Sequence, residues 1–266
     1  MWYTSEAVPG DLLVVLGPTA SGKTQLSVAL AERFGGEIIS ADSRQVFRGM
    51  DIGTGKDLAE YRGTHHHLID VAEPGSEFSV FAFQNLFLDA HADITARGCL
   101  PILVGGTGLY LEAALANYRL QPVPENPALR NELAHLDLPA LVARLQQLTT
   151  DLHNTTDLTD RDRLLRAIEI TEHRRTTPPV PMPKLAPLVL GIRWERRELQ
   201  RRITLRLKER LAAGLVEEVA RLRASGVNDA MLDYYGLEYR FVTRHLRGEL
   251  NHNDLFQKLN SAIHDF

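Results

Sequence analysis

Eight consecutive residues, Gly17-Pro18-Thr19-Ala20-Ser21-Gly22-Lys23-Thr24, satisfy the pattern G-x-x-x-x-G-K-[ST] at every fixed position. Backbone N–H groups of such a loop converge on phosphate oxygens, and the N-terminus of the following helix adds partial positive charge. Lys23 then brings a mobile ammonium to the terminal phosphate and Thr24 a hydroxyl for Mg²⁺. The motif does not say which phosphate ester is held, because a nucleotide and a diphosphate on any carbon skeleton present much the same oxygens. A second chemical group follows at Asp42, just beyond an apolar run. Ligands of open parallel sheets collect at the carboxyl ends of strands, which makes Asp42 a candidate general acid or base. An equal reading is a turn residue or an outer partner of a magnesium ion.

These groups need elements to carry them. Residues 12–16 form an apolar, branched run that leads into the loop, and 25–34 read as a helix beyond it, the strand–loop–helix placement the phosphate mechanism requires. That context outweighs a glycine-rich turn without phosphate. Strands follow at 37–40 and 100–104, the latter ending at Gly105-Gly106 before a helix over 108–117. Alternating strands and helices imply a parallel sheet covered on both faces. The character then changes: prolines at 122, 124 and 127 precede several amphipathic helices within 129–173, and prolines at 178, 179, 181 and 183 precede a returning strand at 188–192. The expected organisation is α/β, a P-loop NTPase-like parallel sheet flanked by helices, formed by residues 1–118 and 186–266, with a helical insertion at 119–185. Long helices over 196–213 and 216–224, stopped by Gly214 and Gly226, complete the reading.

The bulk properties restrict the partners. The chain has 266 residues, 44% hydrophobic and 24% charged, ordinary for a globular protein with a buried core. A single cysteine, Cys99, excludes an intrachain disulfide and a cysteine-cluster zinc site. Neither a targeting signal nor a membrane-length apolar stretch is read, so the expectation is a cytoplasmic monomer without a membrane. A net charge of −4 means that any nucleic-acid surface must be local. Arginines do cluster at 161, 163, 166, 174 and 175 and at 196, 197, 201, 202, 206 and 210, but interspersed glutamates also suit a solvated helix face. His65-His66-His67 invites a metal, yet no acidic or cysteine partner stands at zinc spacing, and the expectation is no site there. Tyr234-Tyr235-Gly236-Leu237-Glu238-Tyr239 offers aromatics either to a core or to stacking on bases.

Several further stretches resemble one family, the tRNA dimethylallyltransferases. Beyond the loop they are Ile39-Ser40-Ala41-Asp42-Ser43-Arg44-Gln45-Val46-Phe47, Met50-Asp51-Ile52-Gly53-Thr54-Gly55-Lys56 and His66-His67-Leu68-Ile69-Asp70. Leu103-Val104-Gly105-Gly106-Thr107-Gly108-Leu109-Tyr110 and Arg163-Leu164-Leu165-Arg166-Ala167-Ile168-Glu169 continue the match in the family's order. The resemblance spans nearly the whole chain and is far more specific than a phosphate loop alone. It implies transfer of the dimethylallyl group of dimethylallyl diphosphate to N6 of adenosine 37 in tRNAs reading codons that begin with U. By the same resemblance the loop Gly17–Thr24 grips the diphosphate with Mg²⁺ on Thr24, and Asp42 acts on the adenine amine. Thr19, Lys23 and Arg206 serve the scissile oxygen and leaving group.

The resemblance also implies tRNA contacts from Asp42, Ser43, Arg44, Gln45, Thr107, Arg130, Asp162, Arg163, Leu164, Leu165 and Arg166, with the insertion gripping the anticodon stem-loop. In the family a basic stretch with Arg-Gln and Thr-Trp continues beyond the position of Ala262-Ile263-His264-Asp265-Phe266. A chain without it, or without the zinc finger of some eukaryotic relatives, is expected to be a short bacterial-type member with weaker hold on tRNA. Two enzyme rivals use the same loop: a small-molecule or nucleotide kinase with Asp42 as base toward a hydroxyl, and an adenylate isopentenyltransferase acting on free AMP or ATP. A binding module that performs no chemistry is the third.

Overall fold

The computed structural model describes residues 10–116, 118–120, 122–149, 158–177 and 180–265. Residues 1–9, where no targeting signal is read, lie outside the described residues, as do Gln121, Pro178 and Pro179 of the proline-rich brackets and Phe266. In chain order the first elements are β1 (Leu12–Leu16), α1 (Lys23–Phe34), β2 (Gly36–Ala41), β3 (His66–His67), α2 (Val80–Ala96), β4 (Leu100–Gly105) and α3 (Gly108–Leu115). Then come β5 (Tyr118–Arg119), α4 (Pro127–Leu133), α5 (Leu138–Leu148), α6 (Arg161–Thr176) and β6 (Val180–Pro181). The chain closes with β7 (Pro187–Gly191), α7 (Arg196–Ala212), α8 (Leu215–Ala224), α9 (Asp229–Tyr234), α10 (Leu237–Leu246) and α11 (His252–Asp265).

The main sheet has the order β3-β2-β4-β1-β7, and every pair in it is parallel. Its central strands are buried on both faces: Leu12, Leu13, Val14, Val15, Ile38, Ile39, Ile102 and Leu103 are at most 1% exposed. This explains why those strands read as continuous apolar runs rather than alternating ones. Register aligns the strand ends, with Leu16 level with Gly105 and Gly191, and Ala41 level with Gly105. The segments that leave at Gly17, Asp42, Gly106 and Ile192 therefore start along one edge. Gly105 is required there, since a Cβ would lie 2.2 Å from the carbonyl oxygen of Ala41. The expected parallel α/β fold is borne out.

The chain divides into two compact units, Met1–Leu115 with Lys184–Phe266, and Ala116–Pro183. The larger unit has a second core beside the sheet, in which Val46, Phe47 and Met50 pack with Leu207, Leu215, Val219, Leu232, Tyr235, Tyr239 and Leu259 of the C-terminal helices. The smaller unit has its own core of Leu133, Leu141, Leu145, Leu164, Leu165 and Ile168. Its two ends are paired antiparallel through β5 and β6, Tyr118 opposite Pro181 and Arg119 opposite Val180. A segment entered and left at adjacent points disturbs the host chain little, which is the geometry of an insertion. Among the described residues, no helix is long and apolar enough to cross a membrane.

Candidate active site

The phosphate-loop motif sits between β1 and α1, and its backbone enters the left-handed region at Ala20, φ 58°, and at Gly22, which caps α1 at φ 86°. Three donors occupy carbonyls of the loop. Lys23 Nζ donates to Pro18 O at 2.7 Å, Arg202 Nε to Ala20 O at 2.8 Å, and Trp194 Nε1 to Ser21 O at 2.9 Å. The Arg202 guanidinium also lies 4.5 Å from the centroid of the Trp194 ring. With these carbonyls engaged, what the loop offers an anion is its N–H groups. Beside the loop lies a cavity of about 580 Å³, lined among others by Ser21, Lys23, Thr24, Asp57, Arg202, Arg206 and Arg210. Burial pulls the Lys23 ammonium down to about 8, with Asp42 opposing and Arg206 adding to the effect. An anion in this cavity would therefore meet arginines and a lysine whose charge is already costly to hold.

The three arginines that α7 directs at the loop and at the neighbouring Gly53–Gly55 turn share one helix face, because 202, 206 and 210 recur at intervals of four. Ile203 and Leu207, on a neighbouring face, are buried. Arg206 reaches three groups: Thr19 Oγ1 at 3.5 Å, Gly55 O at 3.3 Å and Asp57 Oδ2 at 2.7 Å. Arg210 donates to Gly53 O at 3.1 Å and pairs with Glu238 at 3.2 Å. The Gly53–Gly55 turn is itself held from beneath by Glu218. This carboxylate, 1% exposed, accepts from the N–H groups of Asp51, Ile52 and Gly53 at 2.7 to 3.0 Å and from the Tyr239 hydroxyl at 2.9 Å. In the sequence Arg202 and Arg210 stand only as members of the arginine cluster, with no tie to the loop, and Glu218 and Asp57 were not singled out at all. The four-residue spacing around Arg206 could have revealed the two arginines, whereas nothing in the sequence links Glu218 to a turn more than 160 residues away.

Asp42 leaves β2 directly. Its Oδ1 accepts from the backbone N–H groups of Arg44 at 2.9 Å and Gln45 at 3.4 Å, and among the described residues nothing bonds Oδ2. The carboxylate is thus a turn residue on one oxygen and open to a ligand on the other. The segment after it is tied to the edge of the sheet: Thr107 Oγ1 accepts from Ser43 N at 3.1 Å, and Thr107 N donates to Ala41 O at 3.4 Å. Gln45 bridges Ser40 Oγ at 3.0 Å and Gly55 O at 3.1 Å. The Arg44 guanidinium lies over Tyr234, 5.0 Å from the ring centroid. Asp42, Ser43, Arg44, Gln45 and Thr107 therefore form one group, as do Thr19, Lys23 and Arg206.

The residues expected to contact tRNA from the smaller unit fall into two kinds. Leu164 and Leu165 are 0% and 8% exposed and face its core, so their side chains serve packing and have no free surface to offer RNA. Arg130 forks onto Glu169 at 2.7 and 3.2 Å and also meets Glu125 at 3.3 Å. Arg166 donates to Val123 O at 2.6 Å and to Glu169 at 3.2 Å, while Arg161 caps carbonyls of Leu133, Ala134 and Leu136. Arg130 principally, with help from the Asn126 N–H and Arg166, holds the Glu169 carboxyl down at about 2. Much of the basic cluster therefore organises the unit from within. Asp162 and Arg163 are exposed in the first turn of α6.

The histidine triplet yields a correction. An acidic partner does exist, Glu37 on the strand beside β3, and Glu37, His65 and His67 hold ligand atoms within 4.8 Å of one another. Residues two apart in extended chain share a face, and Glu37 is distant only in sequence. The carboxylate is, however, already forked by Arg97 and bonded to His67 Nε2 at 2.8 Å, and Arg97 above all holds it down at about 2. The cluster is an ion-pair network whose geometry could admit a metal only by displacing Arg97.

A parallel sheet, a phosphate loop at its carboxyl edge, an arginine face over the loop and an open carboxylate beside it define a P-loop enzyme that handles a phosphate ester. Comparison with known proteins narrows this. A family model described as IPP transferase matches residues 45–266, and one described as isopentenyl transferase matches residues 10–72. A tRNA dimethylallyltransferase 2 of Syntrophotalea carbinolica is 65% identical over 259 residues, covering 96% of this chain and 87% of the relative. A tRNA dimethylallyltransferase 1 of Geotalea uraniireducens is 60% identical, covering 96% and 85%. The crystal structure of a tRNA isopentenylpyrophosphate transferase from Bacillus halodurans superposes with a TM-score of 0.70 at 32% identity over 96% of this chain and 83% of that one. The chain belongs to the IPP transferase family and is a prenyltransferase, so the family read from the motifs is borne out.

Proposed function

We propose that this protein transfers the dimethylallyl group of dimethylallyl diphosphate to N6 of adenosine 37 in tRNAs that read codons beginning with U, in the cytoplasm and as a single copy. The observation that carries this reading is the pairing of two groups in one unit: Thr19, Lys23 and Arg206 about the phosphate loop, and Asp42 with an unbonded Oδ2 at the neighbouring strand end. In the reaction a bond forms between N6 and C1 of the dimethylallyl group as the bond from C1 to the diphosphate oxygen breaks. The diphosphate departs with the electron pair, and the proton lost from N6 passes to Asp42. Lys23, Arg206 and the N–H groups of the loop stabilise charge that develops on the leaving oxygens, and Thr19 contacts the scissile oxygen. Thr107 fixes the backbone beside Asp42 and so helps aim the amine.

Magnesium is part of this reading. Thr24 lies on the cavity wall and, with diphosphate oxygens, makes the hard-oxygen donor set that Mg²⁺ favours. When bound, the ion neutralises charge on the diphosphate. The adenine has to leave the anticodon stack, which costs a few kcal/mol and is easiest in a single-stranded loop. Asp42, Ser43, Arg44, Gln45 and Thr107 receive it, and of the smaller unit the exposed Asp162 and Arg163 contact the stem-loop, while Arg130 and Arg166 hold the frame of that unit through Glu169.

The test is incubation of the protein with Mg²⁺, dimethylallyl diphosphate and an unmodified anticodon stem-loop carrying A36-A37-A38, followed by mass spectrometry of the RNA. One dimethylallyl group on A37, lost in Asp42→Ala, is expected. Prenylation of AMP with the RNA unchanged would move the reading to an adenylate isopentenyltransferase. ATP turnover with a small acceptor would move it to a kinase.

A further inference from the structure

Arg206 is not free to give its whole guanidinium to an anion. Nη1 faces Thr19 Oγ1, but Nη2 is divided between Gly55 O at 3.3 Å and the Asp57 carboxylate at 2.7 Å. Asp57 stands on the wall of the cavity that Lys23, Thr24 and Arg206 also line. Its placement is built into the chain. The preceding residue, Lys56, is 1% exposed, and its ammonium donates to Phe47 O at 2.7 Å, Asp51 Oδ1 at 2.7 Å and Asp70 Oδ1 at 2.5 Å, which fastens the backbone there. Asp57 then takes the left-handed conformation, φ 44° and ψ 47°, which residues with a side chain seldom adopt. Asparagine suits that conformation as well as aspartate, so the backbone alone does not call for a charge. Asp57 precedes the short 3₁₀ turn Leu58–Tyr61, yet its side chain makes no capping bond to it. Capping therefore does not account for the carboxylate, and among the described residues the group that bonds it is Arg206. An exposed ion pair adds little to stability, which leaves its effect on the ligand site as the reason for the contact.

The surroundings carry crowded positive charge. The Nη2 atoms of Arg206 and Arg210 converge on Gly55, where a Cβ would lie 2.3 and 1.8 Å from them. Arg206 works against the charge of Lys23 and of Arg210, while Glu238 and Asp57 support that of Arg210. We propose that Asp57 shares Arg206 with the diphosphate and so limits how tightly the site holds that anion, the departing product included. This rests on the reading of the cavity as the diphosphate site of the transferase. Affinity given equally to the bound diphosphate and to the transition state does not speed the transfer, and a leaving group held too firmly delays the next turnover. A carboxylate that competes for one edge of a guanidinium lowers that affinity without touching the loop N–H groups that meet charge as it develops. Because Asp57 is half in solvent, its repulsion of the anion through water is screened, and competition for Arg206 is the larger effect.

The experiment measures binding of inorganic diphosphate by calorimetry, at about pH 7 with Mg²⁺ present, to wild type, Asp57→Gly, Asp57→Asn, Arg206→Ala and the double variant Asp57→Gly with Arg206→Ala. Glycine accepts the left-handed backbone while removing the side chain, and asparagine keeps the shape while removing the charge, so neither strains the turn. Asp57→Gly should bind diphosphate about three- to tenfold more tightly than wild type, with Asp57→Asn between the two. In the Arg206→Ala background the same glycine change should gain less than about twofold, because the group competed for is gone. Added diphosphate should accordingly inhibit transfer to the stem-loop by Asp57→Gly at a lower concentration than in wild type. The proposal is overturned by unchanged or weaker binding in Asp57→Gly, by a gain that persists without Arg206, or by a wild type that binds no diphosphate. An RNA left unmodified beside the expected binding pattern would instead overturn the transferase reading and leave the role of Asp57 standing, since the titration requires no RNA.

Discussion

At the scale of the residue, Asp42 and Lys23 make opposite demands on their surroundings. Asp42 uses Oδ1 for the turn and leaves Oδ2 for chemistry, so Asp42→Asn keeps an acceptor for the Arg44 N–H while removing the base. A fall in kcat of about 10²- to 10⁴-fold, with both KM values within about threefold, is expected from steady-state kinetics. A parallel loss of RNA and diphosphate binding would show that the turn, not the base, was its role. Lys23, pulled down to about 8 by burial, supplies its charge only below that pH. Affinity for inorganic diphosphate, measured by calorimetry, should hold from pH 6.5 to 7.5 and weaken as pH rises through 8, because the neutral amine offers no charge to the anion. In Lys23→Met the affinity should be lower throughout and the step near pH 8 absent. The loop and Asp42 were legible in the sequence because chemistry and backbone geometry restrict both within a few residues. The partners Asp57 and Glu218 were not, since they act across 149 and more residues of chain.

At the scale of the element, the strands at 12–16, 37–40, 100–104 and 188–192 followed closely from apolar runs bounded by glycine and proline, and α7 occupies nearly the stretch that its pattern indicated, whereas β3, α2, α9, α10 and α11 were not read. Periodicity did not reveal what the helix faces present. The same arginines read equally as a solvated face until α7 is seen to lay Arg202, Arg206 and Arg210 toward the loop and its neighbouring turn. That turn depends on Glu218 of α8, whose carboxylate satisfies three consecutive N–H groups. Glu218→Ala leaves those donors and the Tyr239 hydroxyl without their acceptor, and urea unfolding should register a loss of about 3 kcal/mol or more. If the midpoint does not move, the turn is held by something other than Glu218. The histidine triplet shows the same limit, because alternation in the extended chain leading into β3 puts His65 and His67 on one side but cannot name Glu37 as their neighbour.

At the scale of the whole molecule, the chain packs as two units with separate cores, and the proposed function draws on each of them differently. Every side chain assigned to the diphosphate lies in the larger unit, while the smaller has an independent core. Leu141→Ala, at a fully buried position of that core, should cost about 2–5 kcal/mol. Affinity for dimethylallyl diphosphate should stay within about twofold of wild type in equilibrium binding. A large loss of diphosphate affinity would mean that the units are energetically coupled. By itself the sequence determined the class of fold, the phosphate loop, the carboxylate and the family, because local backbone propensity, binary patterning and contiguous motifs are written along the chain. Only the tertiary structure decided which arginines face the loop, that Tyr234 stays exposed while Tyr235 and Tyr239 are buried, and that Leu164 and Leu165 belong to a core. Those outcomes depend on which distant segments meet, and burial and ion pairing are settled between neighbours in space.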